Sequence, residues 1–284
     1  MASAHPLDVL RFPLRAAGFV GLTFGMYGLL EVDTAISSAA DREVVLHTWM
    51  RRYGRALLKL YGLDVRVGGL VHGEPAPGPG AAGRDRPAAA YYPGRDPSGV
   101  GRVFVMNHRS ALDIMVTLAF FEATVVSRAD LAGWPVVGMA ARRVGTLFVD
   151  RSSKRSGSAV VQAMCAALKG GRGVMVYPEG TTFSGDEVRP FRAGAFTAAC
   201  RVGAEIVPVG LVYGGAESSY VDESFAAHMA RVSRARRIPV ALEVGEPIAT
   251  AGQNVDAVRD EAHLAVQALV RRARARLGSD ASDA

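Results

Sequence analysis

The sequence predicts an α/β fold, with a largely parallel central sheet flanked by helices and a helical segment ahead of it. Three observations carry this. Short apolar runs of strand length alternate along the chain with longer runs of helical periodicity. Several strand-like runs end on polar clusters, namely Asn107 to Asp113, Asp150-Arg151 and Glu179 to Thr182; the carboxyl ends of strands are where open α/β sheets collect their ligands. Finally, 284 residues of which 49% are hydrophobic supply the core of one large domain plus an appended segment.

The expected division is a membrane-associating helical segment over residues 1–61 and an α/β domain over 62–284. Ala16 to Leu30 is uncharged and apolar, preceded by Arg11 and Arg15 and followed by Glu31 and Asp33. The run is shorter than the ~20 residues a spanning helix requires. Its basic start and the small residues Ser37 to Ala40 also fit a signal peptide. Gly18, Gly21, Gly25 and Gly28 give it a smooth face for another helix, and a retained, membrane-dipping helix is the preferred reading. From Asp41 to Tyr61, Val45, Trp49, Tyr53, Ala56, Leu57 and Leu60 recur at helical spacing beside Arg51, Arg52, Arg55 and Lys59. A basic amphipathic helix of this kind lies in the headgroup plane; a surface helix packed on the domain is the plain alternative. Two such segments in succession favour a membrane-associating pair.

The domain begins with an alternating strand at Leu63 to Val67. Residues 74–101, dense in Pro, Gly and Ala, read as a surface loop inserted between strands. Val103 to Met106 is a buried strand, Ala111 to Phe121 a helix and Ala123 to Ser127 a strand. Trp134 to Arg143 is a helix with Pro135 in its first turn, and Val144 to Val149 a strand. Gly157 to Lys169 is a helix stopped by Gly170 and Gly171. The remaining elements are strands at Gly173 to Tyr177, Ala204 to Val212 and Ile238 to Val244, and helices at Arg192 to Val202 and Val255 to Leu277. Arg271, Arg272, Arg274 and Arg276 close the last helix, where they complement its dipole.

Composition narrows the function. The net charge is +6, almost all from arginine, since Lys59, Lys154 and Lys169 are the only lysines. A basic surface fits anionic membrane, acidic carrier proteins or nucleic acid. No nucleic-acid motif accompanies the charge, and aromatics are not interleaved with basic residues as stacking platforms. Cys165 and Cys200 lack metal-ligand spacing, and a reduced, cytoplasmic protein is expected. Neither GxSxG nor a Walker motif is present, so covalent nucleophilic catalysis and metal chemistry have no support in the sequence.

The chemistry concentrates where the strand ending at Met106 turns into a helix. His108, with Asp113 five positions on, can bring imidazole and carboxylate within hydrogen-bond reach. The carboxylate then fixes the ring's tautomer and leaves the other nitrogen to take a proton. Taken alone, Asp113 is as well explained as a helix cap, Arg151 as a surface ion-pair residue, and Glu179-Gly180-Thr181 as a turn. Arg189 to Phe196 leads into a helix whose N-terminus favours an anion, with Arg189 or Arg192 adding charge.

Four blocks in order and spacing change that weighing: Asn107-His108-Arg109-Ser110-Ala111-Leu112-Asp113, Gly145 to Arg151, Tyr177-Pro178-Glu179-Gly180-Thr181-Thr182, and Ile206-Val207-Pro208-Val209-Gly210. With them the chain resembles the glycerolipid acyltransferases related to lysophosphatidic acid acyltransferase, over roughly Leu60 to Val244. The resemblance implies a glycerolipid acyltransferase-like fold in which His108 is the general base and Asp113 its orienting carboxylate. It implies that Arg151 meets the acceptor's anionic group, that Glu179, Gly180 and Thr181 help bind the acceptor, and that Pro208 belongs to the acyl-donor side. The implied reaction is O-acylation of a lysolipid by acyl-CoA or acyl-carrier protein as co-substrate, without cofactor or metal, at the cytoplasmic face of the inner membrane. One departure stands out: many phosphatidic-acid-forming members have arginine where this chain has Thr182. Members acting on lyso-ornithine lipids or capped lysophospholipids resemble it better there, and Arg189 or Arg192 can replace the missing charge. A non-catalytic lipid-binding protein and a thioester-independent transacylase are the alternatives.

Overall fold

The computed structural model describes residues 6–69, 91–150, 154–215 and 218–279. Two long helices lead, α1 (Pro6–Ile36) and α2 (Arg42–Tyr61). Then follow β1 (Leu63–Gly69), β2 (Val103–Met106), α3 (Asp113–Phe120), β3 (Ala123–Arg128), α4 (Val137–Arg143) and β4 (Leu147–Val149). The second half holds α5 (Lys154–Lys169), β5 (Gly173–Val176), α6 (Gly194–Val202), β6 (Ile206–Tyr213), α7 (Phe225–Val232), β7 (Ile238–Val244) and α8 (Val255–Ser279).

The strands form one seven-stranded sheet in the order β1-β7-β6-β2-β5-β3-β4. Every neighbouring pair is parallel except β6 with β7. β2 lies in the middle, wholly buried, and its alternate residues feed the two cores. Phe104 and Met106 pack with α2 and α3 on one face, and Val103 and Val105 with α5, α6 and α8 on the other. Because β2 and β5 are parallel neighbours, the turns that leave their carboxyl ends lie side by side. That adjacency brings the first and third sequence blocks together.

α1 is longer than the apolar run alone predicts, and it is long and apolar enough to cross a membrane. The charges expected to bound it are inside the helix because the domain receives them. Arg15 donates to the carbonyls of Ser233 and Ala235, and Arg11 to that of Arg234. Glu31 pairs with Arg143, and Asp33 accepts from the Trp49 indole at 2.7 Å. The outward face keeps Leu14, Val20, Phe24, Leu29, Val32 and Ile36 exposed. Of the four glycines, Gly18 alone meets α2, where a Cβ would stand 2.9 Å from Leu60 Cδ1; a Cβ at Gly21, Gly25 or Gly28 meets nothing within 4 Å.

α2 does not lie free in a headgroup plane. Its buried residues Met50, Leu57, Leu58 and Tyr61 face the domain. Gly54 sits so close to α3 that a Cβ there would come within 2.4 Å of the Ala119 nitrogen. α1 therefore rides on α2, α2 on α3, and the apolar surface left outward belongs to α1.

Other boundaries also differ from expectation. α3 starts at Asp113, since the preceding residues form a tight turn. α4 starts at Val137 after a 3₁₀ turn over Ala129–Gly133, and β4 is shortened to three residues. Of the expected 74–101 loop, residues 74–90 lie outside the described residues. From Tyr91 onward the backbone is irregular yet packed: buried Tyr92 stacks on Phe121 at 5.1 Å, and its N–H donates to the Phe120 carbonyl. Arg274 and Arg276 do more than complement a helix dipole, as they pair with Asp186 and Glu243.

Candidate active site

At the end of β2 the backbone ladder is continued by a side chain. Asn107 Nδ2 donates to the Leu211 carbonyl at 2.8 Å and Oδ1 accepts the Leu211 N–H at 2.7 Å. This pins the exit of the strand and lets His108 turn out of the sheet. The turn closes on Asp113, which has no side-chain exposure. Asp113 Oδ2 accepts from His108 Nδ1 at 2.7 Å and from the backbone N–H groups of Arg109 at 2.8 Å and Ser110 at 3.0 Å. Oδ1 accepts from the Tyr213 hydroxyl at 2.6 Å. Burial and the Asp113 charge hold the Tyr213 phenol well above its ordinary range, so it stays a donor. Asp113 is thus both a cap for the turn and the partner of His108.

A carboxylate at Nδ1 makes that nitrogen the protonated one, which leaves the lone pair of a neutral ring on Nε2. The imidazole is stacked on Tyr177 with centroids 4.2 Å apart. Tyr177 is itself fixed by a 2.7 Å hydrogen bond between its hydroxyl and Thr117. The imidazole is held at one nitrogen and one face, and 20% of its side chain stays accessible.

Glu179, expected beside the acceptor, faces inward. Its Oε1 accepts the His108 N–H and an Arg109 guanidinium N–H, each at 2.8 Å, and Oε2 accepts the Arg189 N–H at 2.9 Å. Arg109 is also buried and donates to the carbonyls of Gly185 and Glu187. The carboxylate of the third block therefore braces the turn of the first. A buried pair of this kind holds geometry more than it adds net stability.

His108 lines a mostly apolar cavity of about 710 Å³. Its lining draws on α1, α2, α3 and α4, with Phe19, Met26, Trp49 and Leu118, and on α5 and α6, with Val160, Met164 and Ala195. Gly180, Thr181, Thr182 and Arg192 add a polar rim. Gly180 has φ 82°, and a Cβ there would meet Arg192 Nε at 2.4 Å, so glycine both relieves the backbone and admits the guanidinium. Thr181 and Arg192 are exposed. Thr182 donates its hydroxyl to the Tyr220 carbonyl. Arg189 is outside the cavity lining, its guanidinium 5.1 Å over the Phe183 ring.

Arg151 lies outside the described residues; Asp150 before it lines the cavity. Pro208 is not brought to the site. It lines a separate small groove with Gly245 and α8. Among the described residues no cluster of three or more His, Cys, Asp and Glu is placed to hold a metal. Sequence reasoning gave no role to Tyr213, which ends β6, or to Tyr220, in the stretch before α7, and it named Tyr177 only as part of the third block.

A family model described as Acyltransferase matches residues 93–212. A lyso-ornithine lipid O-acyltransferase of Pseudomonas aeruginosa is 32% identical over 172 residues, covering 58% of this chain and 64% of that protein. A 1-acyl-sn-glycerol-3-phosphate acyltransferase of Neisseria meningitidis is 28% identical over 247 residues, covering 84% and 85%. The crystal structure of the 1-acyl-sn-glycerophosphate acyltransferase of Thermotoga maritima shares the fold, with a TM-score of 0.65 at 18% identity over 95% of both chains. The first and third blocks, now seen to meet around the His108–Asp113 pair, agree with these matches: over residues 93–212 the chain carries a domain matched by the Acyltransferase family, and the relatives it resembles are named as acyltransferases.

Proposed function

We propose that the protein transfers a fatty acyl chain from acyl-CoA or acyl-carrier protein to the free hydroxyl of a lysolipid, with His108 as general base. His108 Nε2 removes the hydroxyl proton as the oxygen attacks the thioester carbonyl. The tetrahedral intermediate collapses with cleavage of the C–S bond, and the imidazolium returns its proton to the departing thiolate. Asp113 keeps the ring in the productive tautomer and offsets the imidazolium charge; general base catalysis of this kind is typically worth ~10²–10⁴-fold. The single observation that carries this reading is the 2.7 Å His108–Asp113 contact opening onto an apolar cavity.

The cavity's mostly apolar lining, drawn from α1 to α6 around His108, suits acyl chains brought to that residue. Arg192 at the rim, with Arg151 from the second block, receives the acceptor's anionic group. Thr182 is engaged with Tyr220 and brings no charge, which favours a lyso-ornithine lipid over lysophosphatidic acid as the preferred acceptor. The exposed face of α1 supports attachment to the cytoplasmic side of the inner membrane, so that the lysolipid need not leave the bilayer.

The test is a screen of lysolipid acceptors with one labelled acyl thioester, run on purified wild type and His108→Ala. Wild type is expected to acylate at least one acceptor, and the folded variant none. Turnover by folded His108→Ala, or acylation without thioester, contradicts the reading.

A further inference from the structure

The mechanism above leaves a second imidazole unused, and that imidazole is buried against the same turn. His228 lies on α7, beyond the matched residues 93–212. It is fully buried, with Nε2 3.0 Å from Ser110 Oγ and Nδ1 3.2 Å from Glu223 Oε1. Arg231 pairs with the same Glu223, and the Tyr220 ring stacks on the imidazole at 4.6 Å. Burial pushes the His228 imidazole below the ordinary histidine range; Glu223 and Asp113 oppose this and Arg231 adds to it.

Nδ1 faces both the Glu223 carboxylate and Arg231 Nη2, each at 3.2 Å, while Nε2 shares one hydrogen bond with Ser110 Oγ. Ser110 Oγ also accepts the Leu112 N–H, 3.2 Å away. The backbone N–H of Ser110 donates to Asp113 Oδ2, the oxygen that also receives His108 Nδ1. The segment before α7 grips the turn as well, since the Tyr220 N–H donates to the Arg109 carbonyl at 2.8 Å.

We propose that His228 is a positioning residue for acyl transfer. Through its hydrogen bond to Ser110 Oγ it holds the turn from Asn107 to Asp113 in the one arrangement that presents Asp113 Oδ2 to His108. The inference rests on the reading of His108 as general base, and it assigns to α7 a part in the reaction.

The experiment uses the full chain, with His228→Ala, His228→Gln and the double variant His228→Ala/Ser110→Ala. Glutamine can set its amide oxygen or nitrogen where Nε2 stands, so it preserves the hydrogen bond to Ser110 without the ring. His228→Ala is expected to lower kcat ~10–100-fold with both KM values nearly unchanged, as displacement of the base requires. His228→Gln should recover most of that loss, and the double variant should be no worse than His228→Ala. Independently of turnover, NMR of ¹⁵N-histidine-labelled protein follows the His108 Nδ1 proton; it should shift in the alanine variant and return in the glutamine variant. Unchanged kcat and an unmoved His108 proton in His228→Ala overturn the inference, as does a glutamine variant as impaired as alanine. If His108→Ala retains turnover, the base reading fails, whereas the NMR comparison still decides whether His228 places the His108–Asp113 pair.

Discussion

The turn from Asn107 to Asp113 and the rim from Gly180 to Arg192 border one cavity but are built in opposite ways. In the turn, Asn107, Arg109, Ser110 and Asp113 are buried, and Asp113 alone takes four hydrogen bonds. On the rim Thr181 and Arg192 are exposed, and Gly180 provides room more than contact. The third block supplies both regions: Glu179 turns inward to brace His108, while Thr181, two residues on, faces out. Under the proposed function the contrast puts chemistry in the rigid turn and recognition on the adaptable rim. A base must be oriented before substrate arrives, whereas a headgroup site can vary between relatives without disturbing it.

The largest expected effect comes from breaking the turn at its centre. Asp113→Asn replaces an acceptor of His108 Nδ1–H by a group that can no longer fix the tautomer. A fall in kcat of ~10³–10⁴-fold is expected, with the protein still folded, as checked by steady-state kinetics and circular dichroism. Glu179→Ala tests the brace. It strands Arg109 as an unpaired buried cation and leaves the N–H groups of His108 and Arg189 without their carboxylate. A loss of about 3–5 kcal/mol in unfolding free energy is expected from denaturant titration. If Glu179 only touched acceptor, stability would hardly move. The rim gives the smallest effect. Arg192→Ala should raise the acceptor KM by ~10–100-fold, the worth of one charge-assisted hydrogen bond of ~1.5–3 kcal/mol.

Much of this contrast was legible in the sequence, and the remainder was hidden for physical reasons. The alternation of strands and helices is a local pattern, so the sheet could be read directly; the His108–Asp113 turn was legible only as a candidate until the other three blocks were set beside it. Burial of Glu179 could not, because a carboxylate in a Pro-Glu-Gly turn looks the same whether it faces solvent or a buried arginine. The Tyr213 hydroxyl lies 100 residues from Asp113, and no periodicity links them. α1 ran past its apolar stretch because Ser233, Ala235, Trp49 and Arg143 receive its charges, a tertiary cause invisible locally. α7 was missed because its eight residues make only about two turns and follow a polar stretch. Pro208 was placed with the donor by resemblance, yet in β6 it lies toward α8.

The most direct test of the division between turn and rim is the split of kcat from acceptor KM in Asp113→Asn and Arg192→Ala, measured side by side with the same acyl thioester and lysolipid. The division predicts that Asp113→Asn loses kcat with acceptor KM held, and that Arg192→Ala raises acceptor KM with kcat nearly unchanged. A loss of kcat in Arg192→Ala as large as that in Asp113→Asn would contradict it.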